Sequence, residues 1–262
     1  MNRKQVNLPA GTVSYIDEGR GEAILLLHGF CGSSEYWEKV IPVLSGNYRV
    51  IAPDLPGHGE SGQLAEGYSI ETIADHMKSF LQKLELDNVI MFGHSLGGYI
   101  TLSFARKYVE GLNGFSLIHS TAHPDSEEAK KARVANVEKV EKEGMQALID
   151  GLVPKLFSPD NLESNARDIQ RAKEIGYKTS REGAAGALLA MKDRPDLNRV
   201  LEETSLPVLL VAGEKDQIVP SEKTFSISKE NIMQEVIPDT GHMGMYENPD
   251  ELVRVMKKFL EG

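Results

Sequence analysis

A chain of 262 residues, 40% hydrophobic and 26% charged, can bury one large core, or one core with a small insertion. Its net charge of −10 sets up a field that repels nucleic acid and anionic membrane, so neither is expected as a partner. Cys31 is the only cysteine, which excludes an internal disulfide and suits a reducing compartment. No apolar run after the first residues would serve as a signal peptide. The longest obvious one, Ala23 to Leu27, is far short of the ~18 residues a membrane span needs. A soluble, cytoplasmic protein is expected.

Residues 4–8 and 12–18 read as two short strands around the turn Pro9-Ala10-Gly11. Ala23 to Leu27 is uninterruptedly apolar, the pattern of a strand buried on both faces of a sheet. It runs into the loop His28-Gly29-Phe30-Cys31-Gly32-Ser33-Ser34, with an N-cap at Ser33 or Ser34. Trp37, Val40, Ile41 and Leu44 then predict a helix, and Tyr48 to Ala52 a strand that ends in the turn-rich Asp54–Ser61. Ser69 to Leu86 predicts a helix with Ile70, Ile73, Ala74, Met77, Phe80 and Leu81 on one face. Val89 to Phe92 is a strand, a helix follows from Ser95 to about Tyr108, and Leu112 to Ile118 is the next strand.

This alternation implies a mostly parallel sheet with helices on both faces, the α/β class. It stops at about Thr121. Ser126–Glu143, Gly144–Phe157, Asn161–Gly176 and Ser180–Lys192 all carry helical patterns, and no strand is evident before Pro195. A helical block that interrupts a βα repeat reads as a lid over the carboxyl edge of the sheet. The expected organisation is therefore a core of residues 1–120 and 196–262 with a cap of residues 121–195. The repeat resumes with strands at Pro207–Ala212 and Ile232–Ile237, a helix from Ser221, and a last helix from about Pro249 to Leu260.

Chemistry concentrates at strand ends. Gly93-His94-Ser95-Leu96-Gly97 joins a strand to a helix and has the Gly-x-Ser-x-Gly pattern of a nucleophile elbow. A Cβ at Gly93 or Gly97 would collide with backbone in so tight a turn. A serine hydroxyl needs a base, and the base an orienting acid. The chain offers them beyond later strands in the order Ser95, Asp216, His242, the order that accompanies this elbow. The backbone N–H groups of Phe30 and Leu96 are the expected oxyanion donors. Among the other histidines, His94 should point away from Ser95, His28 is read as structural, and His58, His76, His119 and His123 as satisfied or solvated. Asp125 is the runner-up acid; Asp239 lies too near His242 in the chain to brace it. Trp37, Phe157 and Met243 are candidates for an apolar substrate pocket.

No metal is expected, because there is no His-Glu-x-x-His, no cysteine pair and no calcium-type loop. Asp54 to His58 has ligand-type side chains, but its Pro and Gly make it a turn. Gly93 to Gly98 lacks the Gly-Lys-Ser/Thr ending of a phosphate loop, and Cys31 has no basic neighbour to activate it. No cofactor is expected either.

Five segments in order, His28-Gly29-Phe30, Asp54-x-Pro56-Gly57-His58-Gly59-x-Ser61, Gly93–Gly98, Gly213-x-x-Asp216 and Gly241-His242, make the chain resemble the α/β-hydrolase superfamily. It resembles the cap-bearing branch of esterases, lactonases, carbon–carbon hydrolases and cofactor-free haloperoxidases, over nearly its whole length except the middle of the lid. The resemblance implies a triad of Ser95, Asp216 and His242, with oxyanion donors at Phe30 and Leu96. Dehalogenases and epoxide hydrolases of this fold carry aspartate at the elbow, where this chain has Ser95. Menaquinone-pathway lyases commonly have arginine after the two glycines, where this chain has Tyr99.

The expectation is a serine hydrolase acting on small carboxylic esters through an acyl-enzyme, as a monomer or homodimer with a small-molecule substrate as its partner. The alternatives are lactonase, carbon–carbon hydrolase or perhydrolase chemistry on the same residues. One alternative belongs to another class, a small-molecule sensor that signals to a partner protein.

Overall fold

The computed structural model describes residues 1–65 and 67–262. One sheet of eight strands organises them: β1 (Arg3–Leu8), β2 (Gly11–Glu18), β3 (Ala23–Leu27), β4 (Arg49–Pro53), β5 (Val89–His94), β6 (Leu112–Ile118), β7 (Val208–Gly213) and β8 (Ile232–Ile237). Their spatial order is β1-β2-β4-β3-β5-β6-β7-β8. The β1–β2 and β2–β4 pairs are antiparallel and all others parallel.

The apolar runs of β3 and β5 are continuous because both faces of the sheet are covered. Leu25, Leu27 and Met91 turn to a core shared with α2 (Ile70–Lys83) and α3 (Leu96–Tyr108). Ile24, Leu26 and Phe92 turn to a second core. There they meet Trp37 and Val40, α1 (Ile41–Leu44) and the C-terminal helix Pro249–Glu261. Ser69 starts α2 as predicted. Its hydroxyl accepts from Thr72 N–H at 3.0 Å, and the Thr72 hydroxyl accepts from Ser69 N–H at 2.8 Å, a reciprocal cap.

The single helix expected through Trp37 and Leu44 is instead a 3₁₀ turn over Ser34–Trp37 followed by the short α1. Pro42 is the cause: it has no N–H to donate, and its ring would crowd the Glu38 carbonyl of a continuous helix.

Between β6 and β7 lie α4 (Glu127–Leu152), α5 (Ala166–Gly176), α6 (Arg181–Lys192) and α7 (Asn198–Glu203). The two helices expected at 126–143 and 144–157 run together as α4 across a kink at Gly144, where φ is 84°. The sequence pattern did not predict α7. The remaining helices are α8 (Ser221–Thr224), α9 (Gly244–Glu247) and the C-terminal α10 (Pro249–Glu261).

Contacts show where the helical block sits. Ser180 N–H donates to Gly57 O at 3.0 Å, and His242 N–H to Leu156 O at 2.7 Å. Gly57 follows β4 and His242 follows β8, so the block lies across the carboxyl ends of the strands. Among the described residues, no helix is long and apolar enough to cross a membrane.

Candidate active site

Ser95 sits where β5 hands over to α3, with φ 51° and ψ −113°. Few non-glycine residues adopt that backbone, and it costs of order 1–3 kcal/mol, so the surroundings must enforce it. They do so by crowding. A Cβ on Gly97 would lie 2.5 Å from Leu27 O, and one on Gly93 would press against Gly97 O and lie 2.5 Å from the Thr101 hydroxyl. Ser95 N–H donates to Ile118 O at 3.0 Å, and the Ser120 hydroxyl donates to Ser95 O at 2.8 Å. From Val89 to Ile100, Ser95 alone is not fully buried. The turn thus lifts one hydroxyl out of an otherwise closed sheet edge.

Asp216 and His242 come from the loops after β7 and β8. His242 Nδ1 lies 2.8 Å from Asp216 Oδ2, while Asp216 Oδ1 accepts from the N–H groups of Ile218 and Val219 at 2.8 and 3.0 Å. An acceptor at Nδ1 puts the proton there and leaves Nε2 as the basic nitrogen. Ser95 and His242 line one pocket of about 60 Å³, together with Phe30, Tyr36, Tyr99, Met191 and others. Burial works against the Asp216 carboxylate, but the imidazoles of His242 and His119 outweigh it and hold the carboxyl well below the usual range. The carboxylate therefore stays ionised opposite any charge that forms on His242.

Leu96 is the first residue of α3, where N–H groups have no partner within the helix. Phe30 rides on the loop after β3. His28 holds that loop: its Nε2 accepts from Leu55 N–H at 2.8 Å and its Nδ1 reaches Gly29 O at 2.7 Å. Asp54 holds the adjoining turn. It accepts from Ser34 N–H and hydroxyl at 2.7 and 2.6 Å and from Glu60 N–H at 2.9 Å, and it pairs with Arg3 at 2.7 Å. With both oxygens committed, Asp54 belongs to a turn, as the sequence reading has it.

Two acids considered for His242 go elsewhere. Asp239 pairs with Lys215 at 2.8 Å. Asp125 is clamped by Arg194 at 2.6 Å and Arg133 at 3.0 Å. The structure does not bring Trp37, Phe157 and Met243 to the Ser95 pocket. All three are buried in the second core, and the pocket walls are instead Phe30, Tyr36, Tyr99, Leu152, Leu156, Met191 and Ile218. Tyr36 and Trp37 are neighbours on one tight turn, so when Tyr36 faces the pocket Trp37 must face the sheet.

His94 is not turned wholly away, since it lines the same pocket. Its Nε2 makes a 2.9 Å hydrogen bond with His242 O, which steadies the backbone of the residue beside it. Burial, with His242 and His119 alongside, pushes its imidazole well below the ordinary histidine range.

His119, read from the sequence as satisfied or solvated, is neither. It is fully buried at φ 48°, with Nδ1 3.6 Å from Asp216 Oδ2 and neither ring nitrogen hydrogen-bonded. That distance is too long for a hydrogen bond. Its position at the carboxyl end of β6, between the strands that carry Ser95 and Asp216, was the available signal.

Residues 22–249 match the model of the alpha/beta hydrolase fold family. A thermophilic esterase from Thermogutta terrifontis, in a malate-bound structure, superposes with a TM-score of 0.93 at 30% identity, covering 100% of this chain and 98% of that one. The enol-lactonase of Burkholderia xenovorans superposes with a TM-score of 0.90 at 21% identity over 99% and 100% of the two chains, a likeness of fold alone. A curated relative, the 2-hydroxy-6-oxo-6-(2'-aminophenyl)hexa-2,4-dienoic acid hydrolase of Metapseudomonas resinovorans, is 25% identical over 97% of this chain and 89% of its own length. With the family match spanning most of the chain and a full-length esterase neighbour at this identity, the protein belongs to the α/β-hydrolase fold family.

Proposed function

We propose that the protein hydrolyses small carboxylic esters through an acyl-enzyme on Ser95, with residues 121–195 acting as a cap over a core of 1–120 and 196–262. One observation carries the reading: the His242 Nδ1–Asp216 Oδ2 contact of 2.8 Å beside a strained, accessible Ser95 in one pocket. His242 Nε2 takes the hydroxyl proton as Ser95 Oγ bonds to the acyl carbon. The oxyanion so formed accepts from the Phe30 and Leu96 N–H groups. Asp216 balances the imidazolium. The C–O bond to the alcohol then breaks, and His242 returns its proton to the departing alkoxide. Water, deprotonated by His242, attacks the acyl carbon, and the acid leaves as Ser95 regains its proton. A lactone is an internal ester and follows the same steps with its alcohol still tethered. The esterase neighbour supports the ester reading.

The test is turnover of p-nitrophenyl esters from acetate to octanoate by wild type and Ser95→Ala. A pocket of about 60 Å³ predicts the highest rates for the shortest acyl chains. Ser95→Ala should lose at least about 10³-fold in kcat. Activity that survives the substitution would rule out the mechanism.

A further inference from the structure

A second cavity of about 640 Å³ adjoins the Ser95 pocket, and Tyr99, Arg133 and Ile218 line both. Small-molecule sites run to about 300–1,000 Å³. The inner pocket therefore has room only for a short group, and any longer arm of a substrate must lie in the outer cavity. The charge of that wall runs against the rest of the molecule. Three cationic side chains, Arg133, Arg194 and Lys223, line it with two anionic ones, Asp125 and Asp196, a local cationic excess in a chain of net charge −10.

The two arginines are not equivalent. Arg194 is buried and held by the protein: Nη1 bonds to Asp125 at 2.6 Å and to Met191 O at 2.9 Å, Nε bonds to His123 O at 3.1 Å, and the guanidinium stacks on Tyr99 at 4.0 Å. Arg133 spends only Nε, on Asp125 at 3.0 Å. Among the described residues, its two terminal nitrogens have no partner, yet the side chain borders the pocket that holds Ser95. Asp125 neutralises one guanidinium of the pair, and Arg194 is the one it shares with the protein interior. A planar, permanently charged fork is left at the junction, suited to bidentate contact with a carboxylate.

We infer that the site selects esters whose longer arm carries a carboxylate, with Arg133 holding it at the junction of the two cavities. This rests on the ester reading above and adds the substrate class. Two matched pairs test it: para-acetoxybenzoate against its methyl ester, with the charge on the alcohol arm, and monoethyl adipate against diethyl adipate, with the charge on the acyl arm. In at least one pair, the wild-type ratio of kcat/KM, charged over neutral, should fall about tenfold in Arg133→Gln, chiefly through KM. Arg133→Lys should restore part of the ratio, and in wild type the ratio should fall as salt is raised. Turnover with ratios equal in wild type and Arg133→Gln for both pairs overturns the inference and leaves the ester reading standing. If wild type hydrolyses none of the four, the p-nitrophenyl esters decide the ester reading, and calorimetric binding of adipate decides the anion site. Binding lost in Arg133→Gln keeps the anion site; no binding by wild type removes it.

Discussion

Ser95 holds a backbone conformation that glycine would adopt without strain, and this makes its cost measurable. Its hydroxyl makes no hydrogen bond within the protein among the described residues, so Ser95→Gly removes strain of about 1–3 kcal/mol without orphaning a partner. Glycine gives back about 0.5–1 kcal/mol through the greater freedom of the unfolded chain. We expect Ser95→Gly to unfold at higher urea concentration, by a net gain of about 1 kcal/mol, while ester turnover disappears. A stability equal to or below wild type would show that the surroundings do not strain this residue.

At the scale of an element, α4 has two jobs, and Gly144 separates them. The turns before the kink carry Ala129, Ala132, Arg133 and Asn136 to the outer cavity. Those after it carry Leu152 to the Ser95 pocket and Leu148 and Ile149 to the second core. At φ 84° an alanine is strained whatever the space, and its methyl group would also lie 3.2 Å from Arg181 Nη2. Gly144→Ala should therefore lower stability by about 1–3 kcal/mol, or straighten the helix and shift one wall against the other. Ser95, Asp216 and His242 hang from the sheet and not from α4. The expected kinetic signature is thus a raised KM with kcat changed less. A fall in kcat at constant KM would mean that the kink serves the reacting groups instead.

For the whole molecule, the buried histidines set the response to acid. Burial first, and the neighbouring His58 second, push His28 down to about 3. Burial also lowers His58 and His76 and takes His94 well below its ordinary value. In the unfolded chain these rings protonate near the ordinary histidine value of about 6.5. Between that value and the depressed folded ones the unfolded state binds more protons, so stability rises with pH. It is complete above about 6.5 and is lost as pH falls, for His28 down to about 3. Asp54 and Asp216, whose carboxyls are also lowered, add their loss only below about 3.9. The urea midpoint should thus decline already between pH 6.5 and 4.5, with net proton uptake on unfolding at pH 5. A flat midpoint over that range would contradict the neutral buried rings.

The sequence by itself determined the strands, because a run such as Ala23–Leu27 has no polar face and must be covered on both sides. It also determined the elbow and the placing of Ser95, Asp216 and His242 beyond the carboxyl ends of β5, β7 and β8. These are properties of neighbours in the chain: period, turn chemistry and order. Only the tertiary structure decided which side chains meet. Tyr36 reaches the pocket while Trp37 goes to the core, Asp125 is taken by Arg194, 69 residues further on, and His119 comes to stand 3.6 Å from Asp216. Such choices depend on how helices and loops distant in sequence are oriented over the sheet, and local pattern does not encode that orientation.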